Sequence, residues 1–218
     1  VTLDTNTNTV KEAISKNADM IVSHHPILLG GIKRIDYSTS VGQMLKLLIE
    51  NNIPLFAAHT NMDTAKGGIN DKLAEMFELT DVKILDQHTD DSSAGLGRYG
   101  RLEKTIKLGD FTEHCKKILA TPFLRVSGDF EKNINTVAVA SGSCSEIIPL
   151  AFEKGADVII TGDMKYHNMI DMTELGICVI DAGHYPTEIC VMDIFEDILK
   201  DTDIEIIKSE NKDIFKLV

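Results

Sequence analysis

A13-I-S-K-N-A-D-M-I-V-S-H-H25 and A151-F-E-K-G-A-D-V-I-I-T-G-D163 carry one pattern twice. In each, an amphipathic segment leads through Ala-Asp into a short apolar strand. The strand then stops at residues that bind metals or move protons. Ala13 aligns with Ala151, and Asp163 takes the place of His25. A second pair follows in the same order, I53-P-L-F-A-A-H-T-N-M-D63 and C178-V-I-D-A-G-H-Y-P-T-E188, where His59 aligns with His184 and Asp63 with Glu188. Strands alternating with amphipathic helices predict an α/β protein. The repetition predicts two related units from an internal duplication, with one shared site at a pseudo-twofold interface. The polar, glycine-rich stretch 86–101 places their boundary between 1–88 and 89–218.

Val10, Ala13 and Ile14 fall at helical spacing within residues 8–17, ahead of a strand at Met20–Ser23. Ser40 with Gln43 reads as a capping box. Behind it Val41, Met44, Leu45, Leu48 and Ile49 form an apolar helical stripe. A strand at Pro54–Ala58 and a helix from about Asn70 to Phe77 complete the first unit. In the second, Asp110 and Glu113 open a helix carrying Phe111, Cys115, Ile118 and Leu119. Thr136–Ser141 reads as a buried strand. A helix at 145–154, strands at 158–161 and 178–182 and a helix at 187–200 follow, and alternation at Ile204–Lys208 predicts an edge strand.

At 218 residues the chain can bury a sizeable core as one large or two small domains. Its net charge of −12 argues against a nonspecific nucleic-acid binder, which needs a basic footprint. The four cysteines form no C-x-x-C pair, and several lie in apolar runs, so reduced buried thiols and a cytoplasmic setting are expected. No apolar run approaches the ~18–20 residues of a membrane span. Because the chain opens directly into V1-T-L-D4 without methionine, a preceding segment is expected to be absent.

S23-H-H-P26 puts two histidines directly after an apolar strand. In extended backbone their rings point to opposite sides, unsuited to chelating one ion but suited to serving two. The alternative for such a pair is plain hydrogen bonding at a strand end. H59-T-N-M-D63 and H184-Y-P-T-E188 share the spacing H-x-x-x-[DE], which on a helical turn places both groups on one face. Taken alone, Glu188 near a helix start is as well explained by the helix dipole. G162-D-M-K-Y-H167 adds Asp163 and His167, read as a general acid/base pair or as residues orienting a ligand before ligation itself. The combined set is imidazole and carboxylate without thiolate. It suits zinc first, then manganese, iron or nickel, and open His/carboxylate sites are more often catalytic than structural. G95-L-G-R-Y-G100 matches G-x-G-x-x-G, but a polar loop precedes it and strand-like R101-L-E-K-T-I-K107 follows, so a turn or ligand-adjacent loop is expected, not a dinucleotide site.

Together these five motifs resemble the Nif-three-like family, also named GTP cyclohydrolase 1 type 2 homologues, over nearly the whole chain. The resemblance implies two intertwined α/β units with mixed sheets, two divalent cations per chain in the cleft between them, and a toroidal homohexamer. By motif, His25 and Asp63 would hold one ion and His24 and His184 the other, with Glu188 bridging. His59, Asp163 and His167 would line the same cleft as proton carriers. The chain matches the short form, without the domain that some members insert between the halves. The implied activity is hydrolysis of a nucleotide-like small molecule by metal-activated water. A metallophosphoesterase acting on another phosphorylated compound and a non-catalytic metal-binding scaffold remain as alternatives.

Overall fold

A computed structural model describes residues 1–87 and 92–216. The repeat boundary expected at residues 88 and 89 therefore lies outside the described residues. In chain order the first elements are α1 (Thr7–Ser15), β1 (Ile21–Ser23), α2 (Ser40–Glu50), β2 (Leu55–Ala57), α3 (Thr60–Thr64) and α4 (Ile69–Met76). Then come β3 (Thr80–Asp86), β4 (Leu96–Lys107), α5 (Leu108–Ile118), β5 (Arg125–Ser127), β6 (Asn133–Val139) and α6 (Ile148–Glu153). The last are β7 (Val158–Thr161), α7 (Tyr166–Leu175), β8 (Cys178–Asp181), α8 (His184–Glu188) and α9 (Val191–Leu199). They belong to two compact units, one built from Val1–Met62 with Val191–Ile214 and the other from Asp63–Cys190.

In the first unit β1 and β2 are parallel, with Ile21 beside Leu55 and Ser23 beside Ala57. Residues 1–3 run along the other side of β1, where the Thr2 N–H donates to Val22 O and the His24 N–H to Thr2 O. α1 begins where the Asn6 side chain accepts from the Asn8 and Thr9 N–H groups, satisfying donors that a helix start leaves open. Val10, Ile21, Met44, Leu48 and Ile53 form the core with Val41 and Leu47 packed against it, so Val41, Met44 and Leu48 of the predicted stripe on α2 face inward, whereas Ile49 is exposed at 61%. The cap is Thr39, one residue earlier than the predicted Ser40, because the Thr39 hydroxyl accepts from the Gly42 N–H. The tail at 204–208 is not a regular strand. It meets the chain start instead, where the Val1 amine donates to Ile207 O and the Ser209 N–H to Val1 O.

The second unit holds a six-stranded mixed sheet in the order β3-β4-β6-β7-β8-β5. β6, β7 and β8 are parallel, and the remaining pairs are antiparallel. Every residue of β7 and β8 is buried, the continuous apolar pattern of parallel strands covered on both faces. The expected helix at 187–200 divides into α8 and α9, and the expected helix at 145–154 opens as a 3-10 turn before α6. β3, β5 and α7 had no clear sequence signal, since their apolar residues follow neither period cleanly.

The G95-L-G-R-Y-G100 motif is neither a turn nor a loop beside a ligand. From Leu96 onward it is the first half of β4. A Cβ at Gly95 would lie 2.4 Å from Asp86 O, and one at Gly100 would lie 2.7 Å from Thr80 O. The neighbouring strand passes too close for a side chain, which is a packing reason for glycine. Between them Arg98 is buried, ion-paired with Asp71 on α4 and donating to Gly95 O at 2.7 Å and Gly97 O at 2.9 Å. The motif thus ties a helix to the sheet.

Candidate metal centre

Each unit carries part of the predicted ligand set. In the first, β1 ends at Ser23 and the chain bends at His24 and His25, held by the Ser23 hydroxyl donating to His25 O at 2.8 Å. The bend overturns the expectation of opposed rings, because strand alternation no longer applies past Ser23. The two ring centroids lie only 4.9 Å apart, and His59, just beyond β2, brings its ring to 5.3 Å from His24 and 5.6 Å from His25. One nitrogen from each of the three falls within 4.8 Å of the others, close enough to hold a metal ion.

The remaining ring contacts decide which nitrogen is offered. His24 is fully buried and its Nδ1 lies 2.8 Å from Ala58 O. A carbonyl can only accept, so Nδ1 carries the proton and Nε2 keeps its lone pair. His25 Nδ1 lies 2.7 Å from Asp4 Oδ1, giving the same tautomer. Metal-ligating histidines characteristically donate their other N–H to a carbonyl or carboxylate in this way. Asp4 had no signal in the sequence, since nothing local links it to a histidine twenty-one residues on.

In the second unit α8 begins at His184, and the H-x-x-x-E spacing forms one turn as expected, with His184 Nε2 3.0 Å from Glu188 Oε2. His184 Nδ1 lies 2.7 Å from Asp163 Oδ2. Asp163 therefore orients a ligand candidate, one of the two roles expected of it, and does so from a left-handed backbone of φ 54. The hydrogen bond and charge of Glu188, with Asp163 adding to them against the opposing effect of burial, push His184 up to about 9. Asp63 is buried and accepts from the Ser141 hydroxyl at 2.9 Å. Fully buried Asn70 locks this contact, donating to Asp63 O at 3.0 Å and accepting from the Ser141 N–H at 2.9 Å. The next residue, Gly142, has φ +61, and a Cβ there would fall 2.1 Å from Glu188 Oε1. Consecutive residues after β6 thus touch both carboxylates.

Burial first, then the charges of Glu146, Asp63 and Glu188, push the nearby Cys144 thiol up to about 12. That keeps it protonated beside the carboxylates. All four cysteines are buried, as expected. His167 lies exposed in the first turn of α7 with its ring centroid 5.6 Å from that of Tyr166, and it joins no convergent ligand group among the described residues. Asn70, Ser141 and Gly142 carry no motif in the sequence that marks this role. Only a glycine closely following a buried strand hinted at a tight approach there.

Fold and donor set together define a mixed α/β protein with histidine and carboxylate groups able to hold a metal ion. The model of the Duf34/NIF3 (NGG1p interacting factor 3) family matches residues 1–214, and the chain belongs to that family. A GTP cyclohydrolase 1 type 2 homolog of Clostridium acetobutylicum is 38% identical over 187 residues, covering 85% of this chain and 70% of the relative. One from Clostridium perfringens is 36% identical over 220 residues, covering 99% and 84%. Among solved structures, reduced HcgD from Methanocaldococcus jannaschii is 35% identical with a TM-score of 0.80, covering 95% of this chain and 80% of that one. A Bacillus cereus protein related to NIF3 is 25% identical with a TM-score of 0.89, covering 100% and 88%.

Proposed function

We propose that this protein binds two divalent cations per chain and uses them to hydrolyse a nucleotide-like small molecule. The observation that supports this most directly is the shared use of Nδ1. His24, His25 and His184 each commit it to a carbonyl or carboxylate, the arrangement that presents Nε2 as a metal ligand. The donor chemistry fits zinc, manganese, iron or nickel. In this reading His24, His25, Asp63 and His184 supply ligands to the two cations, and Glu188 is shared between them. The bound ions would acidify water and polarise a carbonyl or phosphoryl oxygen of the substrate.

The chain's own residues do the rest. Asp4, Ala58 O and Asp163 orient the imidazoles, while Ser141 and Asn70 orient Asp63. His59, beside the histidine pair, moves protons between substrate and solvent, and His167 is a second candidate for that role. A nucleotide substrate follows from the names of the relatives. A homohexamer follows from the resemblance and a cytoplasmic setting from the buried thiols, and no helix among the described residues is long and apolar enough to cross a membrane.

Metal content per chain, by plasma mass spectrometry on protein purified without chelator or histidine tag, tests the first step. About two ions, lost in His24→Ala and His25→Ala, are expected. The metal-loaded protein is then offered a nucleotide panel. Formate with a pterin precursor marks a cyclohydrolase, and free phosphate marks a phosphoesterase. Neither product across the panel would sink the hydrolase reading and leave a metal-binding scaffold.

A further inference from the structure

We infer that Asp181, closed by Arg125, is the positioning residue that sets the His184–Asp163 pair for metal binding. The inference rests on the metal-binding reading above but concerns a carboxylate outside the ligand set. Asp181 ends β8, inside the D181-A-G-H-Y-P-T-E188 motif, and is buried. A buried carboxylate needs partners, and the backbone N–H groups that it accepts from lie on the two loops that carry the pair. Its Oδ1 accepts from the Gly183 N–H at 3.0 Å, one residue before His184. Its Oδ2 accepts from the Met164 N–H at 3.0 Å, one residue after Asp163. The Arg125 guanidinium, on the edge strand β5, is ion-paired with the same Oδ2 and donates to Met164 O at 2.8 Å.

One carboxylate therefore fixes the backbone on both sides of the His184–Asp163 contact. The two residues come from different strand ends, β7 and β8, so their 2.7 Å approach depends on how those loops are tied. The tie also explains why Asp163 can hold a left-handed φ of 54, which a non-glycine residue keeps only when its surroundings over-determine it. Close packing supports the same junction. A Cβ at Gly162 would lie 2.7 Å from the Gly183 carbonyl carbon and 2.8 Å from His184 N. Its hydrogen bonds run to the backbone beside His184 and Asp163, so it acts through those two residues.

The test uses cobalt(II) alone as the probe, with a chelating dye as competitor and the visible band of the bound ion as reporter of ligand geometry. The variants are Asp181→Asn and, should that chain fail to fold, Arg125→Gln, which leaves the carboxylate in place. Asp157→Ala is the control for general destabilisation. Asp157 precedes β7 at the end opposite Asp163 and caps the Asn135 and Thr136 N–H groups at 2.9 Å. The positioning role predicts about tenfold weaker cobalt affinity, the scale of losses when groups behind a ligand are removed, and a shifted band. Asp157→Ala should bind like the parent despite a lowered Tm. Unchanged affinity and band in Asp181→Asn and Arg125→Gln would overturn the inference. Losses that merely track Tm across all three variants would overturn it too. A parent protein that binds no cobalt would overturn the metal-binding reading and this inference with it, a result distinguishable from the other two.

Discussion

His184 and Glu188 stand one helical turn apart in α8 with Nε2 and Oε2 3.0 Å from each other, while Asp163 takes the opposite ring nitrogen at 2.7 Å. An imidazole between two carboxylates is held in its protonated form. That state suits the metal-free protein and competes with a cation for the same nitrogen.

Metal affinity is therefore expected to rise with pH. His184 is pushed up to about 9, so binding at neutral pH must release its proton. Apparent affinity should increase about tenfold per pH unit from neutrality towards 9 and then level off. Calorimetry in buffers of different ionisation enthalpy would count the released proton, and an affinity flat across this range would refute the competition. Stability of the metal-free protein runs the other way. The folded value lies above the ordinary 6.5, so the contribution of His184 is complete below about pH 6.5 and is lost as pH rises through 9. Thermal melts of His184→Gln should lack that alkaline loss.

Gly142→Ala should damage the site more than the fold. The new Cβ would meet Glu188 Oε1 at 2.1 Å, from a backbone of φ +61. Left-handed alanine alone costs about 1–2 kcal/mol, a modest fall in Tm. The displaced carboxylate should lower metal content well below the parent value in a chain that still melts cooperatively. Full metal content in the variant would show that Glu188 is not a ligand.

Removing either partner of the Arg98–Asp71 pair should destabilise the second unit, but unequally. Arg98 is buried, whereas Asp71 is partly exposed and also accepts from the Gly67 N–H at 2.6 Å. Asp71→Ala strands a buried charge and is expected to cost about 3–5 kcal/mol. Arg98→Met leaves a carboxylate that water can reach and should cost less. Urea denaturation of both variants and of the double replacement checks the order. Equal losses would mean that the carbonyl contacts of Arg98, not its charge, carry the effect.

Native protein should resist thiol alkylation. Cys144 is pushed up to about 12, and burial likewise raises Cys115 and Cys178, so thiolate, the reactive form, is scarce. Intact mass should show no adduct under native conditions at pH 8, and four adducts in denaturant, one per cysteine. Rapid native labelling of any one thiol would expose local opening of the segment that holds it.

Features that depend on neighbours within a turn or a strand are readable from consecutive residues. The apolar stripe of α2, the buried runs of β7 and β8, and the approach of His184 to Glu188 were all legible, because helical and strand periods are written in consecutive residues. The strand-ending clusters were legible for the same reason, since a polar group after an apolar run marks where a buried strand meets the surface. The other features arise from contacts between distant segments. The bend after Ser23 turned His24 and His25 towards each other, against the alternation of an extended chain. Such contacts also gave His25 its Asp4, Asp63 its Ser141 and Asn70, and the glycine motif its place as a strand packed against its neighbour. Each of these pairs residues far apart in sequence. Their meeting depends on strand order and register, which no local period encodes.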